Sequence, residues 1–340
     1  MSQEDYLKKR VTIYQVAKES GYSLATVSRV INNKDNVTEE TKKRVNEVIE
    51  KLGYKPSAIA QGLAKSKTTN VGIVIPSSLY TYVASMLSGM LETAKIYGYQ
   101  TTLFVTSQNH EEASEVVERV ISSNVDGAVI FDDQLSEEDI NKLANYSIPV
   151  AVIGREIEGT NVASIPLDYT GSIREIVQNH FALGDEDIIF LRLNEGGALM
   201  ENLERVARET CESLGKGECF RTINVEDSYS RTYEQFSEYF AREAKSGCFI
   251  APRDSISCGV ANAARDQNVS IPDQIEILSV VGTKYSRIVR PNLTSLDIDM
   301  YEVGSIAMRM LTKLLNGSLK IRVFPFVSTI EQRSSTRKCK

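Results

Sequence analysis

The sequence predicts an α/β protein in two parts, a three-helix head followed by a body of doubly wound, mainly parallel sheets. Three observations predict it. Residues 1–69 hold 13 Lys and Arg against 8 Asp and Glu, net +5, and residues 70–340 hold 26 against 37, net −11. Residues 11–53 repeat apolar positions at helical spacing and carry a cap at each start. From residue 70 the pattern changes to short apolar runs separated by helix-like stretches. A basic head on an acidic body is what results when only the head approaches a polyanion.

Within the head, Thr12 and Gln15 have the spacing of a capping box, so a helix can start there with Ile13, Val16 and Ala17 on its inner face. Gly21 supplies a corner. Ser23 can cap a second helix that packs through Val27 and Val30, leaving Leu24, Ala25, Ser28 and Arg29 facing outward. A third helix is signalled by Thr38 as cap, by Glu39 and Glu40 in the first turn, by Val45, Val48, Ile49 and Leu52 at apolar spacing, and by Gly53 as the stop. This is a helix-turn-helix pattern, whose second helix enters the major groove of DNA. The alternative is a helical hairpin that touches nothing.

The next segment, 54–69, opens with Pro56 and Ser57, and its helical stretch to Ala64 is too short to hold alone in water. Ala60 and Gly62 are small enough for two copies to lie close, and Leu63 is an apolar side chain with no core of its own. Such a side chain can wedge between base pairs in a minor groove. Without DNA the segment reads as a flexible linker.

In the body, the runs VGIVIP, TTLFV, DGAVIF, PVAVIG, DIIFLR, CFIAP and EILSVV read as buried strands, with Tyr82 to Tyr97 as the first helix between them. About 270 residues is long for one such sheet, so two lobes are expected. No G-x-G-x-x-G follows a strand, and neither a phosphate loop nor a G-x-S-x-G elbow is present, so an enzyme is not expected. The five cysteines form no C-x-x-C and there are only two histidines, His110 and His180, so neither a metal site nor a cofactor is expected. The start, MSQEDYLKKR, lacks the apolar core of a signal peptide and no run of about 18 apolar residues occurs, which predicts a cytoplasmic protein.

The motif T-I-Y-x-V-A-x-x-x-G-x-S-x-x-T-V-S-R-V-I-N, followed by Y-x-P-x-A-x-A-x-x-L, resembles the lactose/galactose-repressor family of bacterial transcription regulators over the whole chain. The resemblance implies a helix-turn-helix headpiece at 1–55 and a hinge helix with linker at 56–69. It implies a two-lobed periplasmic-binding-protein-like domain at 70–340, with one lobe of about 70–166 and 298–329 and the other of about 167–297 and 330–340. On the matching positions Leu24, Ala25 and Arg29 would read bases. Thr12, Tyr14, Ser23, Thr26, Ser28 and Asn32 would hold the DNA backbone, Ala60 would line the hinge contact and Leu63 would intercalate. A homodimer on a pseudopalindromic operator follows from the family's symmetry. A tetramer is not expected, because the tail after Ser328 has no heptad pattern. The alternative is a solute-binding protein whose helical head does not bind DNA.

The resemblance places an effector cleft between the lobes, with Asp168, Arg205 and Asp254 as its residues, of which Arg205 and Asp254 are kept from the family's motifs. Arg208 stands where the family has glycine, Arg253 where it has a small polar residue, and Ser279-Val280-Val281 where it has G-[FY]-D. A valine at the acid's position leaves a sugar hydroxyl unpaired, at about 1–3 kcal/mol, so an ordinary sugar effector is not expected. Arg205, Arg208 and Arg253 could instead favour a small anionic effector such as a sugar phosphate, the alternative being ion pairs with nearby acids. The stretches VRPNLTS and MYEVGSIAMRMLTKLLN resemble the carbon-catabolite-control branch of the family, whose corepressor is serine-phosphorylated HPr. By motif, Tyr301, Glu302, Arg309 and Lys313 would form that phosphoprotein contact, Arg309 and Lys313 lying one turn apart. Ser77 and Ser107 replace acids expected to pair with an arginine of HPr, which predicts a weakened or altered response.

Overall fold

The computed structural model describes residues 11–32, 34, 36–54, 68–76, 81–106, 110–184, 187–194, 197–242 and 246–338, the side chains of 81 and 110–113 excepted. The chain divides into two units, Met1–Thr69 and Asn70–Lys340.

The head folds as α1 (Ile13–Ser20), α2 (Leu24–Ile31) and α3 (Glu39–Leu52). The Thr12 amide donates to Gln15 Oε1 at 2.8 Å, closing the start of α1, and Gly21 ends that helix at φ 78°, which its missing Cβ permits. Ser23 Oγ accepts the Thr26 amide at 3.2 Å, and Thr38 Oγ1 accepts the Thr41 amide at 3.4 Å. Val16, Val27, Val30, Val45, Val48 and Tyr54 are buried together, so the three helices share one core. Burying each such side chain contributes about 1.5–3 kcal/mol, enough to hold helices that would be marginal alone. Lys51 reaches Glu19 at 2.8 Å and ties α3 to α1 on the surface.

The body contains two parallel sheets. The first lobe runs β1 (Asn70–Pro76), α4 (Thr81–Ile96), β2 (Gln100–Thr106), α5 (His110–Ser122), β3 (Gly127–Ile130), α6 (Glu137–Asn145), β4 (Val150–Gly154) and β5 (Val162–Asp168). The second lobe runs α7 (Thr170–Ala182), β6 (Ile188–Leu193), α8 (Ala198–Ser213), β7 (Phe220–Val225), α9 (Tyr229–Arg242), β8 (Gly247–Ala251), α10 (Asp254–Asp266), β9 (Ile275–Ser279), α11 (Lys284–Ile288) and β10 (Thr294–Asp297). The chain then returns to the first lobe as α12 (Met300–Leu315) and β11 (Phe326–Val327), and ends in the second as β12 (Thr329–Glu331). Strand order is β2-β1-β3-β4-β5-β11 in one sheet and β7-β6-β8-β9-β10-β12 in the other. Pairing is parallel throughout except for β12 against β10. Strands such as β3 and β8 are buried at every residue, as expected where helices cover both faces.

Three crossings join the lobes, after Asp168, between Asp297 and Met300, and at Ser328, whose amide donates to the Asp168 carbonyl at 2.8 Å. Placing all three together leaves one hinge region beside one cleft.

Helices α4 and α12 touch backbone to backbone. A Cβ built at Gly304 would collide with the Met86 carbonyl, and one at Gly89 with the Tyr301 carbonyl, so each glycine is required by close approach. Beside them Thr93 Oγ1 and Ser305 Oγ share a buried hydrogen bond of 2.8 Å. The chain's last stretch laces the second sheet. Ser335 accepts the Ile277 amide at 2.9 Å through its carbonyl and the Thr294 amide at 2.8 Å through its hydroxyl, and the Arg337 amide donates to Glu276 Oε1 at 2.5 Å.

Candidate nucleic-acid interface and regulatory cleft

Helix α2 presents a face that its core does not need. Val27 and Val30 point inward, while Leu24 (38% exposed), Ala25 and Arg29 stand out, Ala25 and Arg29 being four residues apart on one side. Tyr14, at the start of α1, is 71% exposed although aromatic, a size of exposed ring that suits contact with another surface. Ser23 and Thr26 share a hydroxyl contact of 2.9 Å at the start of α2, where backbone amides and the helix dipole favour phosphate. The Asn32 side-chain amide donates to the Ser28 carbonyl at 2.8 Å and closes the other end of α2, and Ser28 is half-buried. Thr12 is exposed beside Tyr14. Ala60 and Leu63 lie outside the described residues.

The cleft between the lobes is lined by the ends of both sheets and by the crossings. Phe131, Leu193, Met200, Val281, Ile298 and Met300 form its apolar part, and Tyr82 and Tyr169 add hydroxyl-bearing rings. The cavity is about 100 Å³, against about 300–1,000 Å³ for ordinary ligand pockets. Val281 faces the cleft where the family's acid is expected. Two charged side chains belong to the lining, Asp133 from the first lobe and Arg253 from the second. Arg253 is held by an ion pair to Asp227. Asp133 opens into the cleft, yet the protein atoms crowded round it desolvate its carboxyl and raise its pKa, offset in part by the charges of Arg155 and Arg253.

The three residues expected in the effector cleft are not part of this cavity's lining. Asp168 is exposed at the first crossing, where its carboxylate accepts the Thr170 amide at 2.8 Å, and its neighbours Leu167 and Tyr169 line the cleft in its stead. Arg205 is exposed on α8 and is held by Glu209 at 2.7 Å and Asn202 at 2.6 Å. Asp254 is buried under the start of α11, where it takes both the amide and the hydroxyl of Thr283. The extra arginine Arg208 lies 4.5 Å over the Phe220 ring and pairs with Glu204 at 3.1 Å. Arg192, Arg205 and Arg208 line one outer pocket on this face together with Glu201 and Glu204, and each is paired with a carboxylate.

Glu204 is the centre of that outer cluster. Burial raises its carboxyl, but hydrogen bonds from Arg192 at 2.6 Å, Thr222 at 2.8 Å and Arg208 outweigh burial and leave the pKa below the usual carboxylate value. A carboxyl depressed in the folded state stabilises at pH above its unfolded value, and this contribution is lost as pH falls through the folded value. Thermal melts from pH 7 downward should therefore show wild type losing stability in the acid range more steeply than Glu204→Gln, with equal slopes counting against the assignment.

On α12, the Tyr301 hydroxyl donates to Glu92 at 2.7 Å, which raises its pKa together with burial and the Glu92 charge, while Arg309 lowers it. Arg309 and Lys313 are exposed and have no ion-pair partner among the described residues. Glu302 is exposed, and its amide donates to the Asp299 cap at 3.1 Å. Ser77 and Ser107 lie outside the described residues. Sequence reasoning missed Asp133. Its position just beyond the strand run DGAVIF, where clefts form in α/β sheets, was the available signal. It also missed the buried pair His180 and Glu276 with the half-buried Arg337, residues spread over 158 positions that meet only in the fold.

A helix-turn-helix unit with an exposed recognition face, ahead of a two-lobed α/β body with a hinged cleft, defines a DNA-binding regulator. The model of bacterial regulatory proteins of the lacI family matches residues 12–57, and that of the periplasmic binding protein-like domain matches residues 177–336. Catabolite control protein A of Priestia megaterium is 33% identical over 337 residues, covering 96% of this chain and 99% of that protein. The HTH-type transcriptional regulator pepR1 of Lactobacillus delbrueckii subsp. lactis is 33% identical over 310 residues, covering 91% and 92%. Among solved structures, the Lac repressor bound to ONPG in its repressed state has a TM-score of 0.82 at 19% identity, covering 96% of this chain and all of that one. The transcription regulator CcpA of Lactococcus lactis has a TM-score of 0.66 at 24% identity, covering 79% and 99%. The chain belongs to the lacI family of bacterial transcription regulators. No helix among the described residues is long and apolar enough to cross a membrane.

Proposed function

We propose that the chain is a cytoplasmic, homodimeric repressor of carbohydrate-utilisation genes, acting on a pseudopalindromic operator. The observation that carries the reading is the outward face of α2, with Leu24, Ala25 and Arg29 at base edges. Thr12, Tyr14, Ser23, Thr26, Ser28 and Asn32 serve the phosphate backbone. Paired 56–69 segments, through Ala60 and Leu63, open the minor groove between half-sites. The homology to catabolite control protein A supports the choice of carbohydrate genes. Arg29→Ala is expected to weaken binding to the palindromic site roughly 10- to 100-fold, with a much smaller loss on scrambled DNA. Gel-shift titrations at fixed salt read both, and an equal loss on the two DNAs would remove Arg29 from base recognition.

A second reading concerns the corepressor. Arg309 and Lys313, exposed one turn apart with Tyr301 on the same helix, support a contact to a phosphoserine such as that of HPr. Titrating serine-phosphorylated HPr into protein and operator tests it. Tighter DNA binding that is lost in an Arg309→Ala, Lys313→Ala double variant supports the contact, and no gain at micromolar concentrations defeats it.

A further inference from the structure

We propose that the two lobes latch onto each other without a ligand, through Asp133 of the first lobe and Gly197 of the second, so that the chain's own residues close the cleft and control of the regulator is exerted outside it. The proposal rests on the reading of the chain as a DNA-binding regulator and names how its cleft is used. The contact is close. A Cβ built on Gly197 would stand 2.7 Å from Asp133 Oδ2 and 2.9 Å from Asp133 Cβ. The carboxylate can swing aside, but the Cβ is fixed to the backbone of the first lobe, so a side chain in place of Gly197 pushes the lobes apart. Gly197 itself sits at φ −90° and ψ 176°, which any residue adopts. Its bare backbone therefore answers to the other lobe and not to its own turn.

Electrostatics favour the same contact. Gly197 is the cap residue of α8, a helix of 16 residues, and has no side chain to offer the amides of the first turn. Asp133 brings a carboxylate to that helix start, where the dipole favours negative charge. Much of its side chain stays exposed, so the contact costs little desolvation. Arg253 adds a cation of the second lobe that acts on the same carboxylate, and it is held in place by Asp227. Apolar side chains close the rest. Phe131 and Leu167 from the first lobe, with Leu193, Leu199 and Met200 from the second, line the cavity that remains, and its volume is about 100 Å³. That is room for a few waters and lies below the range of ligand pockets. A ligand shifts an equilibrium between two conformations only by its differential affinity for them. A sugar that must first force the lobes apart has no preference for the closed form, so it cannot act through closure.

Small-angle X-ray scattering of the full chain without DNA tests the latch in wild type and two variants. Gly197→Leu wedges a side chain into the contact, and Asp133→Lys reverses the charge facing α8 and Arg253 at an exposed position, so it keeps the fold if the wedge does not. Ligand-free wild type is expected to scatter as the closed form, with a radius of gyration that millimolar glucose or glucose 6-phosphate leaves unchanged, and both variants are expected to shift to a larger radius. A thermal melt identifies the folded variants. Contraction of wild type when either sugar is added, or a folded variant that keeps the wild-type radius, would overturn the latch. Operator binding of the same wild-type preparation is measured separately by gel shift. A latched chain that ignores DNA would sink the regulator reading and keep the latch, whereas a chain that binds operator and closes only on a sugar would sink the latch alone.

Discussion

Deleting residues 1–69 is expected to abolish operator binding and to leave the remaining 271 residues folded. The head's core is drawn from residues 11–54 and the body's buried clusters contain none of them, so each unit keeps its apolar contacts when the other is removed. The difference between a site-specific complex and background binding is about 4–10 kcal/mol, so affinity for the operator should fall by at least roughly a thousandfold. The truncated body is itself acidic, net −11, which removes general attraction to DNA as well. Fluorescence anisotropy with labelled operator measures the loss and a thermal melt confirms that the body survives. A truncated protein that still finds the operator would place DNA recognition outside the helix-turn-helix unit.

The second large effect is on stability. Glu276, on β9, is buried with 4% of its surface exposed, and it accepts from His180 Nδ1 at 2.6 Å, from the Arg337 amide at 2.5 Å and from the Arg337 guanidinium at 3.4 Å. Glu276→Ala takes the shared acceptor from both partners while His180 stays buried. Removing one side of a buried ionic cluster costs about 3–5 kcal/mol, because the other side keeps its desolvation penalty. The melting temperature should drop by roughly 6–20 °C for a body of this size. Glu276→Gln, which retains a carbonyl acceptor, is expected to lose less. Urea unfolding of the three proteins orders them, and an alanine variant within about 0.5 kcal/mol of wild type would show that the cluster adds nothing to stability.

The head was legible because its information is local. Thr12, Ser23 and Thr38 as caps, Gly21 and Gly53 as stops, and valines at helical spacing each act within one or two turns, so a linear reading recovers the helices and the outward face of α2. The body's strands were legible as apolar runs for the same reason. The effector site was less so. Asp254 and Arg205 match a family motif, but their partners Thr283 and Glu209 lie outside the motif, and neither of the two side chains so held is part of the cavity lining. Motif matching assigns a residue to a position on the chain and carries no information on which neighbour binds it.

The glycines of the α4–α12 crossing show the same division. A glycine inside a helix costs about 1 kcal/mol relative to alanine, so Gly89 and Gly304 are anomalies in a linear reading, yet their cause is a helix more than 200 residues distant. The amino-acid sequence by itself determined the two-part build, the helix-turn-helix unit, the alternation of strands and helices and the loss of the family's sugar-binding acid at Val281. Only the tertiary structure decided that Asp133 and Arg253 line one cavity, that Arg205 and Arg208 are held in local ion pairs, and that Glu276 joins the end of the chain to the second sheet. The physical reason is range. Capping, periodicity and charge content act between neighbours along the chain, whereas desolvation, ion pairing and cavity shape depend on which distant residues the fold brings within a few ångströms.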